Sequence, residues 1–277
     1  MELTYLGTNM LVLNQQGSIL MVDPHFTRPG LMELLRPLQP DSERVAAGLR
    51  LAGISRLDAV LLTHTHYDHA MDLAAVAQAT GGMVYASESA GELLRGAGLG
   101  ESVFHPVEPG ATYRIGAFHV RFHPARHIPF PPPLSWLMPD GGAITAPLEP
   151  PAPFWAYRCG PVYAIQVENT LIFGSAGFEP GAYAGLGIRD VVLGIGGLES
   201  KTAAYLRELY RETVLAAGAE RVWLSHWDNF SRPIGRGLKH LGFSERTVQR
   251  IRALGQAHGQ CVSKLKFKQK FLMAGHP

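Results

Sequence analysis

The sequence predicts an α/β protein, and three observations carry that expectation. Short apolar β-like segments open the chain, strand-like and helix-like patterns then alternate along it, and no linker interrupts the alternation. At 277 residues the chain falls where one hydrophobic core remains workable, up to roughly 250–300 residues. A single domain over 1–277 is the simplest expectation.

The first strands are expected at Glu2 to Leu6, Met10 to Leu13 and Ser18 to Val22, separated by Gly-Thr-Asn and Gln-Gln-Gly turns and ending in Asp23-Pro24. Asp41-Ser42-Glu43 gives an acidic start to a helix through Leu51, and Ala59 to Leu62 reads as a buried strand. A helical stretch from about Ala70 to Thr80, a strand Met83 to Ala86 and a helix through Leu94 follow. Further strands are expected at Thr112 to Arg114 and Phe118 to Phe122. Residues 128–158 break the pattern with prolines and aromatics, an irregular insertion. Regular patterning resumes with strands Val162 to Val167, Thr170 to Phe173 and Asp190 to Leu193, a helix Thr202 to Ala217, a strand Arg221 to Ser225 and a helix after Ser244. Lysines at 264, 266, 268 and 270 alternate with Leu265, Phe267 and Phe271, the period of a half-exposed edge strand guarded by charge.

Hydrophobic residues at 46% and charged residues at 17% fit an ordinary globular composition. A net charge of +2 with scattered Lys and Arg leaves no footprint for nucleic acid or an anionic membrane, so a small-molecule substrate is the expected partner. The start Met-Glu-Leu-Thr-Tyr-Leu lacks the features of a signal peptide, and no apolar run approaches the length of a membrane span, so a cytoplasmic protein without membrane insertion is expected. Cys159 and Cys261 have neither CxxC spacing nor a Cys/His cluster around them, which argues against a thiolate metal site.

The chemistry concentrates in Thr63-His64-Thr65-His66-Tyr67-Asp68-His69, three imidazoles and a carboxylate between a buried strand and a helix. In extended chain, residues two apart point the same way, so His64 and His66 can converge on one ion while the turn into the helix redirects Asp68 and His69. Imidazole and carboxylate suit zinc, manganese and iron, and three protein ligands per ion leave a coordination position for water.

At His64, His66, Asp68 and His69 the segment matches the HxHxDH signature and resembles the metallo-β-lactamase superfamily. The opening β segments ending in Asp23-Pro24, a later His after a strand, a Gly-rich strand end and a final strand into Ser225-His226-Trp227-Asp228 follow the same order. The resemblance implies a four-layer αββα sandwich with a metal site at one sheet edge. It implies His64, His66 and His127 around a first metal, and Asp68, His69 and His226 around a second. His123 is the fallback for His127, which is favoured because it follows the strand after a short turn. Where the family usually carries a bridging Asp, this chain has Gly174-Ser175-Ala176-Gly177, so Ser175 leaves both one-ion and two-ion sites open. The resemblance also implies metal-assisted hydrolysis of an ester, lactone, amide or phosphodiester, by water whose pKa the ion lowers to about 7. Zinc is the expected metal, and Asp68 orients the water. Rival readings are a catalytically silent metal-binding module, a di-iron redox enzyme and a nuclease.

Asp23 is expected either to cap its turn or to stand behind the ligands, and Asp228 to be a solvated turn residue or a neighbour of His226. His25, His105, His119 and His240 are read as packed histidines. The insertion, directly after His127, is expected to act as a lid presenting Phe130, Trp136, Met138, Phe154 and Trp155 to an apolar or acyl-bearing substrate. Arg126 or Arg158 would then face an anionic group.

Overall fold

In the computed structural model, residues 1–132, 135, 141–242 and 244–273 are described. In chain order, β1 (Glu2–Gly7), β2 (Met10–Gln15) and β3 (Ser18–Val22) form a meander. Then come α1 (Ser42–Ala52), β4 (Ala59–Leu61), α2 (Tyr67–Ala70), α3 (Leu73–Thr80), β5 (Met83–Ala86), α4 (Glu88–Gly96) and β6 (Phe104–Pro106). The second half contains β7 (Thr112–Ile115), β8 (Phe118–Ala125), β9 (Val162–Val167), β10 (Thr170–Phe173) and β11 (Asp190–Gly194). It closes with α5 (Ala203–Tyr210), β12 (Arg221–Ser225), α6 (Ser244–Ala257), β13 (Cys261–Lys264) and β14 (Lys270–Leu272).

These strands make two seven-stranded sheets, ordered β14-β1-β2-β3-β4-β5-β6 and β13-β12-β11-β10-β9-β8-β7. Each half runs from antiparallel meander into parallel strands, at β3-β4-β5-β6 and at β10-β11-β12-β13. Parallel pairing requires crossovers, and the helices supply most of them. The side-chain period of two sorts each strand between two cores. Leu20 and Val22 of β3 enter the cluster between the sheets, whereas Met21 faces outward against α1 and α3 residues such as Val45, Leu49 and Val76. On the other flank Leu206 and Leu209 of α5 and Val248 and Ile251 of α6 cover the second sheet. The architecture is thus helix, sheet, sheet, helix, as expected. Among the described residues no helix is long and apolar enough to cross a membrane.

Local chemistry fixes the helix ends. The Asp41 carboxylate accepts from Arg44 N at 3.0 Å at the start of α1, and Gly53 takes the left-handed conformation beyond its end. Three expectations need correction. The stretch from Ala70 to Thr80 is two short helices, the first starting at Tyr67, and the helix expected from Thr202 to Ala217 is α5 followed by a π-helical turn over 211–215. The lysine-rich end is not one strand. β13 extends the second sheet beside β12, the chain crosses between sheets with Lys268 at φ 59°, and β14 pairs antiparallel with β1.

Candidate metal centre

The centre is built at one end of the sandwich, where strand ends from both sheets meet. β4 is buried on both faces, and the chain leaving it is held from two sides. Thr63 N and Oγ1 donate to the two Asp23 oxygens at 2.8 and 2.6 Å, tying the segment to β3. Tyr163 N donates to Thr63 O at 2.8 Å and Thr65 N to Cys159 O at 2.9 Å, tying it to the second sheet. Extended chain at His64 and His66 then turns into α2, whose first turn carries Asp68 and His69.

Two donor sets result: His64, His66 and His127, and Asp68, His69 and His226, with the donor atoms of each set within 4.8 Å of one another. All six side chains are buried. The sets abut, since the His64 and His69 rings lie 4.0 Å apart by centroid. Three of the five rings are aimed by a bond from the rear nitrogen. Thr63 Oγ1 lies 3.1 Å from His64 Nδ1, Ile128 O accepts from His127 Nδ1 at 2.9 Å, and Asp23 Oδ2 accepts from His69 Nδ1 at 2.8 Å. Each such bond leaves Nε2 facing the centre and fixes its tautomer. Asp68 Oδ2 lies 3.3 Å from His226 Nε2 and 3.7 Å from His69 Nε2. His64 Nε2 and Asp68 Oδ1 are buried without a hydrogen-bond partner, a costly state that a cation at the first and a water held beside it at the second would relieve. The donor set therefore fits divalent ions that take nitrogen and oxygen ligands.

Electrostatics agree with that fit. Burial drives the His64 imidazole well below its ordinary pKa and takes His127 to about 3, so both are held neutral as ligands must be. Burial alone would raise Asp68, but the facing imidazoles of His69 and His226 outweigh it and keep the carboxylate anionic. His69 moves the other way: burial lowers it, but Asp68 and Asp23 together raise it.

Asp23 is a member of a buried chain of bonds as well as a turn residue. Asn9 Nδ2 donates to it at 2.8 Å, and Asn9 Oδ1 accepts from Ser225 Oγ at 2.8 Å, which links the end of β12 through the β1–β2 turn to the ring of His69. Asp23 and His226 both lie in the left-handed backbone region, at φ 47° and 54°, a strain held by surrounding bonds such as His226 N to Thr8 O at 2.6 Å. Asp228 is buried rather than solvated. It is ion-paired with Arg28, accepts from Tyr5 Oη at 2.6 Å and from Thr8 N at 2.8 Å, and so braces the loop that carries His226. Burial would raise its pKa, but Arg28 and Tyr5 keep it below the usual range. Ser175 lies at the cavity wall, with Oγ accepting from Ile128 N at 3.0 Å.

His123 belongs to neither set. Its Nε2 bonds Gln166 Oε1 at 2.8 Å because β8 runs on to Ala125, which commits His123 to the β8–β9 ladder and leaves His127 beyond it. The centre opens into a cavity of about 360 Å³. Of the expected lid, Phe130 lines this cavity, 5.4 Å from the His127 ring by centroid. Phe154 and Trp155 do not line it: Phe154 packs behind Tyr67 at 6.0 Å and Trp155 against Phe154. The described part of the insertion runs over the outer helices instead, bonding Leu148 N to Glu92 O at 3.2 Å and pairing Ala152 with Leu38. Trp136 and Met138 lie outside the described residues. Arg126 is paired with Glu179 on the surface, and neither it nor Arg158 lines the cavity. Leu31, Leu34 and Phe230, which do, were not legible in the sequence, being lone apolar residues in irregular chain. Asn9, Thr63 and Arg28 are not singled out by the sequence either: Asn9 reads only as part of the Gly-Thr-Asn turn and Thr63 only as the first residue of the motif segment.

A two-sheet sandwich with paired His/Asp donor sets at one end defines a class of metal-centred αββα proteins. The chain belongs to the metallo-beta-lactamase superfamily, whose sequence model matches residues 3–165. A metal-dependent hydrolase of Shouchella clausii is 29% identical over 127 residues, 46% of this chain and 48% of that protein. The chain spans about half the length of the curated relatives it matches. Among solved structures, the isothiocyanate hydrolase from Delia radicum gut bacteria superposes with a TM-score of 0.58 at 17% identity, covering 99% of this chain and 100% of that one. CmlA, a diiron beta-hydroxylase from Streptomyces venezuelae, gives 0.57 at 17% identity, covering 98% of this chain and 54% of that one. These two likenesses establish the fold; their different chemistries show that the fold does not choose the reaction.

Proposed function

We propose that the protein is a metal-dependent hydrolase of small molecules, with zinc as its metal and His64, His66 and His127 holding one ion and Asp68, His69 and His226 a second. The observation that carries this reading is the pair of abutting buried donor sets opening onto one cavity. A divalent ion bound there lowers the pKa of water to about 7 and polarises a carbonyl or phosphoryl oxygen. The rest is done by the chain. His64, His69 and His127 present Nε2 because Thr63, Asp23 and Ile128 occupy their rear nitrogens. Asp68 offers Oδ2 toward His69 and His226 and keeps Oδ1 to accept a hydrogen bond from the attacking water. Burial excludes bulk solvent from the ligands, which strengthens every charge interaction among them.

Elemental mass spectrometry on purified protein and on His66→Ala tests the reading. Two zinc ions per chain, with loss of metal and of turnover in the variant, is the expected result. One ion would support a mononuclear centre, in keeping with Ser175 at the cavity wall. Protein that stays metal-free after purification in excess zinc would sink the hydrolase reading, and stoichiometric iron would point to redox chemistry.

A further inference from the structure

The walls of the metal cavity differ sharply from its floor. Above the ligands they are apolar: Leu31 and Leu34 from the loop before α1, Phe130 beyond His127, and Phe230 and Leu241 beyond His226. Among the described residues none of those lining it is Lys or Arg, and Glu199 is the one charged residue besides the ligands. Two nearby cations are committed elsewhere, Arg28 to Asp228 and Arg126 to Glu179. Two divalent ions would themselves hold a phosphoryl oxygen, but sites that take phosphate or carboxylate groups commonly add Arg, Lys or a ring of backbone N–H groups for the remaining charge. At about 360 Å³ the cavity lies at the small end of the range for small-molecule sites. Outside it the apolar wall continues: Leu31, Met32 and Leu35 are 72%, 76% and 76% exposed on the same short turn. Large apolar side chains clustered in water at a cavity mouth mark a contact surface for an apolar ligand.

We infer that the substrate is a neutral ester, lactone or amide with an acyl chain of about four to eight carbons, its carbonyl over the ligands and its tail along Leu31, Leu34 and Phe230. The proposal rests on the hydrolase reading and narrows it, setting phosphodiesters aside. In the reaction the water oxygen bonds to the acyl carbon, the acyl C–O or C–N bond breaks, and the alcohol or amine leaves with a proton from that water. Glu199 in the lining disfavours an anionic substrate by repulsion, in the same sense as the lack of Lys or Arg among the described lining residues.

The test uses zinc-loaded protein with p-nitrophenyl acetate, butyrate, hexanoate and octanoate, and with bis(p-nitrophenyl) phosphate. A fully buried methylene contributes about a fourfold gain, so partial burial of four gives a hexanoate-to-acetate ratio in kcat/KM of roughly 10 to 100. Leu31→Asp and Phe230→Ala should each cut that ratio to about threefold or less. The diester should be cleaved at least about tenfold less well than hexanoate. A flat chain-length series, or a preference for the diester, overturns the proposal and leaves the hydrolase reading intact. Calorimetric binding of hexanamide provides a readout without turnover. Binding weakened by Leu31→Asp, with neither ester nor diester cleaved, supports the apolar site and overturns the hydrolase reading; no binding and no cleavage of either overturns both.

Discussion

At the scale of single residues, Asp23 ranks with the ligands in consequence. Its carboxylate is the common acceptor for His69, Asn9 and Thr63, so it sets the tautomer of one proposed ligand and the path of the segment that carries three others. Asp23→Asn keeps the size and removes the anion. The ion between Asp68, His69 and His226 should then bind roughly 10- to 100-fold more weakly in competition with a chelator, and an unchanged affinity would deny Asp23 this role. The histidines also give the metal-free protein a pH dependence of known sign. Burial takes His25 and His127 to about 3 and drives His64 far down, whereas an imidazole in the unfolded chain takes its proton near 6.5. Lowered folded values give stability that is present above about pH 6.5 and lost as the pH falls toward 3. His69, raised in the folded state, contributes oppositely, its share present below 6.5 and fading as pH rises through its folded value. Three groups outweigh one, so the urea midpoint of the metal-free protein should be lower at pH 5 than at pH 7.5; an equal or higher midpoint would contradict the assignment of these rings as buried and neutral.

At the scale of elements, the site depends on strand ends that come closer than a side chain would allow. A Cβ on Gly174, at the end of β10, would sit 2.1 Å from Thr63 Oγ1 and 2.9 Å from Asp23 Oδ2. Gly174→Ala should therefore push apart the bond that aims His69, releasing metal more readily while the secondary structure seen by circular dichroism persists; wild-type metal affinity in this variant would refute the close approach. Much of this level could be read in advance. Strands at Met83–Ala86, Val162–Val167 and Thr170–Phe173 matched because they are short apolar runs between turn signals. The gathering of the motif's side chains was legible because its His and Asp residues are close in sequence and a strand-to-helix turn dictates their directions. What failed was direction in irregular chain. Phe154 and Trp155 have the composition of a lid, but composition does not say which face of the fold a proline-rich segment covers. Leu31 and Phe230 face the cavity without any periodic pattern to announce it.

At the scale of the whole molecule, the alternation of Lys264 to Phe271 has one period and two destinations. β13 and β14 are both edge strands, so each keeps the two-sided pattern, and only the turn at Lys268 assigns them to different sheets. That crossing segment seals the end of the inter-sheet core. Leu265 is fully buried there, and its carbonyl accepts from Trp227 Nε1 at 3.0 Å, one residue past the proposed ligand His226. Leu265→Ala should lower unfolding free energy by about 2–5 kcal/mol, read from the urea midpoint at constant slope; a loss below about 1 kcal/mol would mean the segment adapts rather than seals. The same crossing has a consequence in time. Residues 2–7 leave the ribosome long before residues 270–272, yet these are hydrogen-bonded neighbours. The first sheet must therefore wait with its β1 edge unpaired until β14 has emerged, and any hold on that edge by a chaperone has to last until then.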